Sequence, residues 1–234
     1  MPSPFLKAWE AMESIYPRPK RVRMLRYWPW ENFAKLVMNP DFDFVWNMVM
    51  TLYAGDVYII HDAFPKEFMQ RIKQEAFQYG QSSPSSFHKM LEGSPDFHRV
   101  IDLEAGKNYS FRVCKHSCFF YPWNSDPLDL FREVNARWRV IKFLMGLAPD
   151  EYEKNTPRRG VVDRVQIAQY PSRIGYLEPH SDPYFHQRLF FSGYMTKRGV
   201  DYQGGGFYLV GKNDEVIEVE NDIDVGDIGI GYAT

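Results

Sequence analysis

Apolar positions along the 234-residue chain follow two regimes, one spaced by threes and fours and one alternating in short runs. The first regime fills the N-terminal half. Residues 3–50 carry apolar and aromatic side chains at irregular helical spacing, interrupted by Pro17, Pro19, Pro29 and Pro40, which predicts helical pieces joined by turns. DVYIIHDAF, residues 56–64, then holds a short apolar run compatible with a strand. Pro65 sits where a first helical residue belongs, and Phe68, Met69, Ile72, Ala76 and Phe77 follow at 3/4 spacing. A strand feeding an amphipathic helix that stops near Gly80 is expected. The Ser/Pro/Gly-rich stretch 81–95 reads as a loop and a candidate lid. Residues 109–121 suit one or two strands, and 127–145 a long helix with Leu128, Phe131, Val134, Trp138, Ile141 and Met145 on one stripe.

The second half alternates. GVVDRVQIAQY (160–170), RLFFSGYMT (188–196), GGFYLVG (205–211), EVIEVE (215–220) and DIGIGYA (227–233) are short β-type runs separated by turn residues. Short strands at regular intervals after a helical half predict an α+β domain: an antiparallel sandwich or jelly roll with helices packed on one sheet. The first 54 residues read as a helical N-terminal extension of the domain formed by 55–234. No period of 20–50 residues repeats, so a solenoid is not indicated.

Composition narrows the class. Hydrophobic residues make up 44%, charged residues 25% and aromatics 17%, which fits a globular chain with a ring-rich core or a ring-lined cavity rather than disorder. A net charge of −2 gives no bulk reason to expect nucleic acid or an anionic membrane as partner. The basic run RPKRVRMLR (18–26), followed by Trp28 and Trp30, is read as a solvated arm, with an aromatic-plus-basic docking surface as the alternative. Cys114 and Cys118 stand at C-x3-C spacing with no second pair. That is neither a disulfide framework nor a zinc pattern, and reduced core thiols fit a reducing compartment. Without a spanning apolar run or a signal-like start, a cytoplasmic protein is expected.

The candidate chemistry lies in QYPSRIGYLEPHSDPYF, residues 169–185. On an extended segment, His180 and Asp182 point to one face and can reach one ion. A second histidine from another strand would complete a facial triad, the arrangement of non-haem Fe(II) oxygenases. Alone, H-x-D reads equally as a polar turn. The preceding run places Val162, Arg164, Gln166, Ala168 and Tyr170 on one face, too polar for a core and suited to the wall of a ligand-filled barrel.

The order of QYPSRIGYLEPHSDP, RLFFSGYMT, GGGFYLV and VGDIGIGYA resembles the core of the Fe(II)/2-oxoglutarate-dependent dioxygenases, nearest the prolyl-hydroxylase-like branch. The resemblance covers about residues 160–234 and, more loosely, VYIIHDAFPKEFMQRI. It implies a double-stranded β-helix, His180 and Asp182 as iron ligands, Tyr170 against 2-oxoglutarate, and Tyr194 donating its hydroxyl to the distal carboxylate of that cosubstrate. For both tyrosines the alternative is wall packing. The implied reaction is hydroxylation of a C–H bond in a small molecule or peptide side chain, with 2-oxoglutarate converted to succinate; ascorbate is an admissible co-reductant. Arg164, Arg173 and Arg188 are candidates for holding an acidic group, against a role as surface or strand-edge charges.

One part of the pattern departs. The family's distal histidine and the basic residue beyond it follow the G-D strand, whereas no histidine follows His186 in a sequence ending at Thr234. His186 is read as a pocket or loop residue, and His61, His88, His98 and His116 have no motif support. Three explanations stay open: the sequence stops short of the last strand or strands, the third ligand comes from elsewhere, or the protein is a non-catalytic relative. A jelly-roll binding module without turnover is the rival class. A cupin-type enzyme would need an H-x-H that this chain lacks.

Overall fold

A computed structural model describes residues 3–19, 21–180 and 187–232. The chain is α+β, with five helices among the described residues. In chain order these are α1 (Phe5–Ile15), β1 (Met24–Pro29), α2 (Trp30–Met38), α3 (Phe42–Tyr53), β2 (Asp56–His61), α4 (Lys66–Ser82), β3 (Phe97–Ile101), β4 (Val113–Phe120), α5 (Leu130–Leu144), β5 (Val165–Gln169), β6 (Tyr176–Leu177), β7 (Leu189–Gly193), β8 (Tyr208–Val210), β9 (Val216–Glu218) and β10 (Ile228–Tyr232). No helix of the described residues is long and apolar enough to cross a membrane.

The chain divides into two compact units, the first within Met1–Gln70, Glu133–Glu151 and Ser181–Thr234, the second within Arg71–Arg132 and Tyr152–His180. In the first unit a four-stranded sheet runs in the order β1-β2-β10-β7, and β8 pairs with β9 separately. β2 is parallel to β1 and antiparallel to β10, which is antiparallel to β7. A parallel pair needs a crossover, and residues 30–53 supply one as α2 and α3. β2 is buried along its length up to His61, as its unbroken apolar run requires of a strand covered on both faces. The Asp41 side chain caps α3 by accepting from the Phe44 N–H at 2.8 Å. Trp9 of α1 is fully buried, donates from its indole to the Leu144 carbonyl at 2.7 Å and stacks on Tyr232.

The basic run 18–26 is expected to be a solvated arm; instead its last residues, 24–26, open the edge strand β1. The reason is Asp56, whose side chain is fully buried at the start of β2. Arg23 binds it through Nη2 at 2.7 Å, and Arg26 joins it as a second ion pair. Burial pushes the Asp56 carboxyl up, but the hydrogen bonds from Arg23 and Arg26 outweigh that and hold it below the usual carboxylate range.

The C-terminus of α5 shows why a glycine follows it. Gly146 adopts φ +91° and the Leu147 N–H donates back to the Lys142 carbonyl at 3.0 Å, a left-handed cap that satisfies the helix end. A Cβ there would lie 2.9 Å from Leu6 Cα. Gly146→Ala therefore combines backbone strain with a clash, and a loss of about 1–3 kcal/mol is expected in urea unfolding. A loss no larger than that of an exposed Gly→Ala change would contradict this account.

In the second unit β3, β4 and β5 form an antiparallel sheet, and β6 pairs with the start of β4. One face rests on the part of α4 in this unit: Cys118 Sγ lies 3.6 Å from the Ala76 carbonyl, and the Tyr79 and Phe120 rings are 5.7 Å apart. Cys114 and Cys118 are both buried and unbridged, and burial pushes the Cys118 thiol up to about 11. The opposite face carries the polar alternation expected from the sequence. Register aligns Arg99, Ser117 and Ala168 across the sheet, and beside them Phe97, Phe119 and Gln166.

Candidate functional site

The four residues singled out by sequence fall in different settings. Asp182, like His186, lies outside the described residues. His180 is exposed at the end of the second unit. Its ring stacks on Phe111 at 4.5 Å, and Nδ1 lies 2.9 Å from the Glu178 carbonyl. That contact makes Nδ1 the donor and puts the ring's acceptor lone pair on Nε2, the tautomer a metal-binding imidazole uses when its other nitrogen is held by a carbonyl. Glu178 is fixed in turn, since its carboxylate accepts from the Arg112 N–H at 2.8 Å. Tyr170 follows β5 and is 46% exposed.

Tyr194 differs from Tyr170 in being buried. It follows β7 in the first unit, inside a cluster with Val22, Val57, Ile59, Val219 and Ile223. Among the described residues its hydroxyl has no hydrogen-bond partner. Burial pushes that hydroxyl's pKa far up, and the Glu220 and Asp227 carboxylates push the same way, so it is a donor at every accessible pH. The approach is possible because Gly229 lacks a side chain: a Cβ there would stand 2.6 Å from Tyr194 Oη.

The G-D pair ahead of β10 has a local purpose. Asp227 is almost fully buried and accepts from the Asp62 and Asp224 N–H groups, both at 2.9 Å, while His61 Nδ1 lies 2.8 Å away. Gly226 takes φ +98° against the Phe64 carbonyl, where a Cβ would come within 2.4 Å. The pair thus fastens the end of β2 to the start of β10.

Around it opens a cleft of about 350 Å³ in the first unit, with His61, Asp62, Lys66, Lys197 and residues 221–224 in its wall. His61 has no motif support in the sequence. It is half-buried, stacked on Tyr27 at 5.8 Å and held by Asp227. The Lys197 and Lys66 ammonium groups each lie 3.0 Å from Asp224 Oδ2 and hold that carboxyl at about 2. Burial, then the hydrogen bond to Asp222, pushes Tyr27 up to about 12. Among the described residues Asp224 is paired with Lys66 and Lys197 and Asp222 with Tyr27, and the His61–Asp227 pair also faces the cleft. The signal for it, G-D with a histidine at the end of an apolar strand, was present in the sequence but joins positions 166 apart.

The other predicted side chains separate cleanly. Arg188 is committed to Glu13, with Nε 2.9 Å from its carboxylate, and to the Met145 carbonyl. Arg173 is exposed. Arg164 lies over the Phe119 ring at 5.3 Å. His98 is buried on the α4 side of the second unit's sheet with His116 beside it, and His88 lies against Phe97. Among the described residues no three His, Cys, Asp or Glu side chains are gathered so as to hold a metal ion. Comparison with protein-family models, curated proteins and solved structures finds no match to this chain.

Proposed function

We propose that the chain belongs to an Fe(II)/2-oxoglutarate-dependent oxygenase with a double-stranded β-helix core, which hydroxylates a C–H bond of a small molecule or peptide side chain. The observation that carries this reading is the Tyr194 hydroxyl. It is a buried donor without an acceptor among the described residues, and such a group costs about 1–3 kcal/mol unless something accepts from it. A carboxylate oxygen is the strongest acceptor available to it, and the distal carboxylate of 2-oxoglutarate is the partner the sequence resemblance assigns.

The remaining residues take matching roles. His180, oriented through Nδ1 by the Glu178 carbonyl, presents Nε2 as one iron ligand; Asp182 supplies a carboxylate as the second. Tyr170 lies along the cosubstrate. When bound, iron and 2-oxoglutarate supply oxygen activation and the two-electron oxidation, with release of succinate and CO2. The chain's own part is to hold the ion, orient the cosubstrate through Tyr194 and keep water from the reacting atoms. Asp182 leaves no place for a halide on the ion, so hydroxylation rather than halogenation follows.

A second reading is a jelly-roll protein that binds a ligand without turnover, in which the buried Tyr194 hydroxyl would serve the ligand alone. Anaerobic titration with Fe(II) and 2-oxoglutarate separates the two. The oxygenase reading expects a visible charge-transfer band, lost in His180→Ala, and an affinity for 2-oxoglutarate about tenfold weaker in Tyr194→Phe. No band in the wild-type protein, or a band unchanged in His180→Ala, favours the binding module.

A further inference from the structure

The polar face of the second unit's sheet holds two arginines to which the proposed function gives no role. Arg99 on β3 has its guanidinium 4.4 Å from the Phe87 ring centroid, 5.3 Å from Phe97 and 5.2 Å from Phe119. Arg164, at the start of β5, lies 5.3 Å from the same Phe119 ring. Two like charges thus share one aromatic ring. Stacking uses the flat faces of a guanidinium and leaves the N–H donors in its plane available. Among the described residues the Arg99 Nε is buried and has no acceptor. Both charges also reach Tyr121: burial pushes its hydroxyl up, and Arg164 and Arg99 pull it down.

The loop once read as a lid is what brings Phe87 to this place. Ser85 Oγ accepts from the Val100 N–H at 2.9 Å, and the Ser86 N–H donates to the His98 carbonyl at 2.8 Å, so the loop is laced along β3. Phe87 then projects over Arg99 while staying 67% exposed. An aromatic surface left in water on a cation, with a second cation over the neighbouring Phe119 ring, is half of a recognition site for a flat anion.

We propose that Arg99 and Arg164, both lying over Phe119, with Phe87 against Arg99, bind a small oxyanion, carboxylate or phosphate, carried on a flat apolar body. The oxyanion accepts from the in-plane N–H groups of both arginines, as planar bidentate donors favour. The attached ring or conjugated body covers Phe87 and supplies the apolar share of the affinity. The site lies wholly within the second unit and stands without the iron reading.

Calorimetric titration of the metal-free protein tests it, with phenyl phosphate, benzoate, inorganic phosphate and benzyl alcohol as probes and no 2-oxoglutarate present. Phenyl phosphate and benzoate are expected to bind the wild-type protein, and inorganic phosphate and benzyl alcohol at least tenfold more weakly than phenyl phosphate. Arg99→Met and Arg164→Met are each expected to weaken phenyl phosphate at least tenfold. Arg164 is exposed, so its variant keeps the fold even where Arg99→Met does not; circular dichroism checks this. Equal affinity of wild type and Arg164→Met for phenyl phosphate overturns the proposal. So does inorganic phosphate binding as tightly as phenyl phosphate, since the aromatic half of the site would then do nothing.

Discussion

Replacing Arg23 and Arg26 together by methionine is expected to destabilise the protein by about 3–4 kcal/mol at pH 7, and by far less at pH 4.5. Methionine keeps the apolar stems over Asp56 and removes only the positive charges. Asp56 is then a fully buried carboxylate with neither arginine. Its cheapest response is to take a proton, and protonating a group of ordinary pKa near 4 at pH 7 costs about 4 kcal/mol, which sets the scale of the loss. Both arginines are more than a third exposed, which screens their share of the attraction and keeps the expected value at or below that scale.

The sign with pH follows from the two folded-state carboxyls. In the wild-type protein Asp56 is held below its unfolded value, so its contribution is present above that value and lost as pH falls through the folded pKa. In the double variant the folded carboxyl rises above the unfolded value, so stability falls as pH climbs from about 4 by about 1.4 kcal/mol per unit. The gap between the proteins must therefore widen with pH. Urea unfolding at pH 4.5 and 7 measures it; a gap of equal size at both pH values would remove Asp56 as the cause.

Gly229→Ala is expected to cost about 1–3 kcal/mol, and most of that loss should vanish when Tyr194 is phenylalanine. The new methyl would meet Tyr194 Oη at 2.6 Å but the nearest ring carbon only at 3.4 Å. Removing the oxygen turns a clash into ordinary contact. Tyr194→Phe alone should raise the stability of the ligand-free protein by about 1 kcal/mol, because it deletes a buried donor that has no acceptor among the described residues. The same change weakens 2-oxoglutarate binding under the proposed function, so stability and binding move in opposite directions. A double-mutant cycle by chemical unfolding reads the coupling directly; additive losses would show that Oη and Gly229 do not oppose each other.

The chain yields some of this to a reader of its sequence and withholds the rest for physical reasons. The strand and helix at 56–82 were legible because β2 is an unbroken apolar run and Pro65 sits where a helix begins. The strand runs around 165–169, 189–193, 208–210, 216–218 and 228–232 were legible by alternation and turn residues. β1 was not. MLRYWP reads as a basic, proline-ended segment, and what makes it a strand is Asp56, beyond two intervening helices. The Arg99 face was hidden for a similar reason: its rings come from residues 87, 97 and 119, which only the loop lacing and the β3–β4 register bring together. Of the proposed iron ligands, sequence picked out His180 by spacing, whereas the Glu178 carbonyl that sets its tautomer emerged only from geometry.

The position of β10 bears on how the chain assembles as it is made. Residues 228–232 lie between β2 and β7, pairing with both. During synthesis β2 therefore leaves the ribosome with one edge unpaired and waits until residues 228–232 have been made before that neighbour arrives. An apolar strand with an open edge is the feature that draws foreign strands. The parallel partner β1 and the two helices between them can cover β2 early on its other sides, which makes the N-terminal segment a guard for a slow, long-range closure. The sheet becomes whole only when a strand made long after β2 threads into its middle.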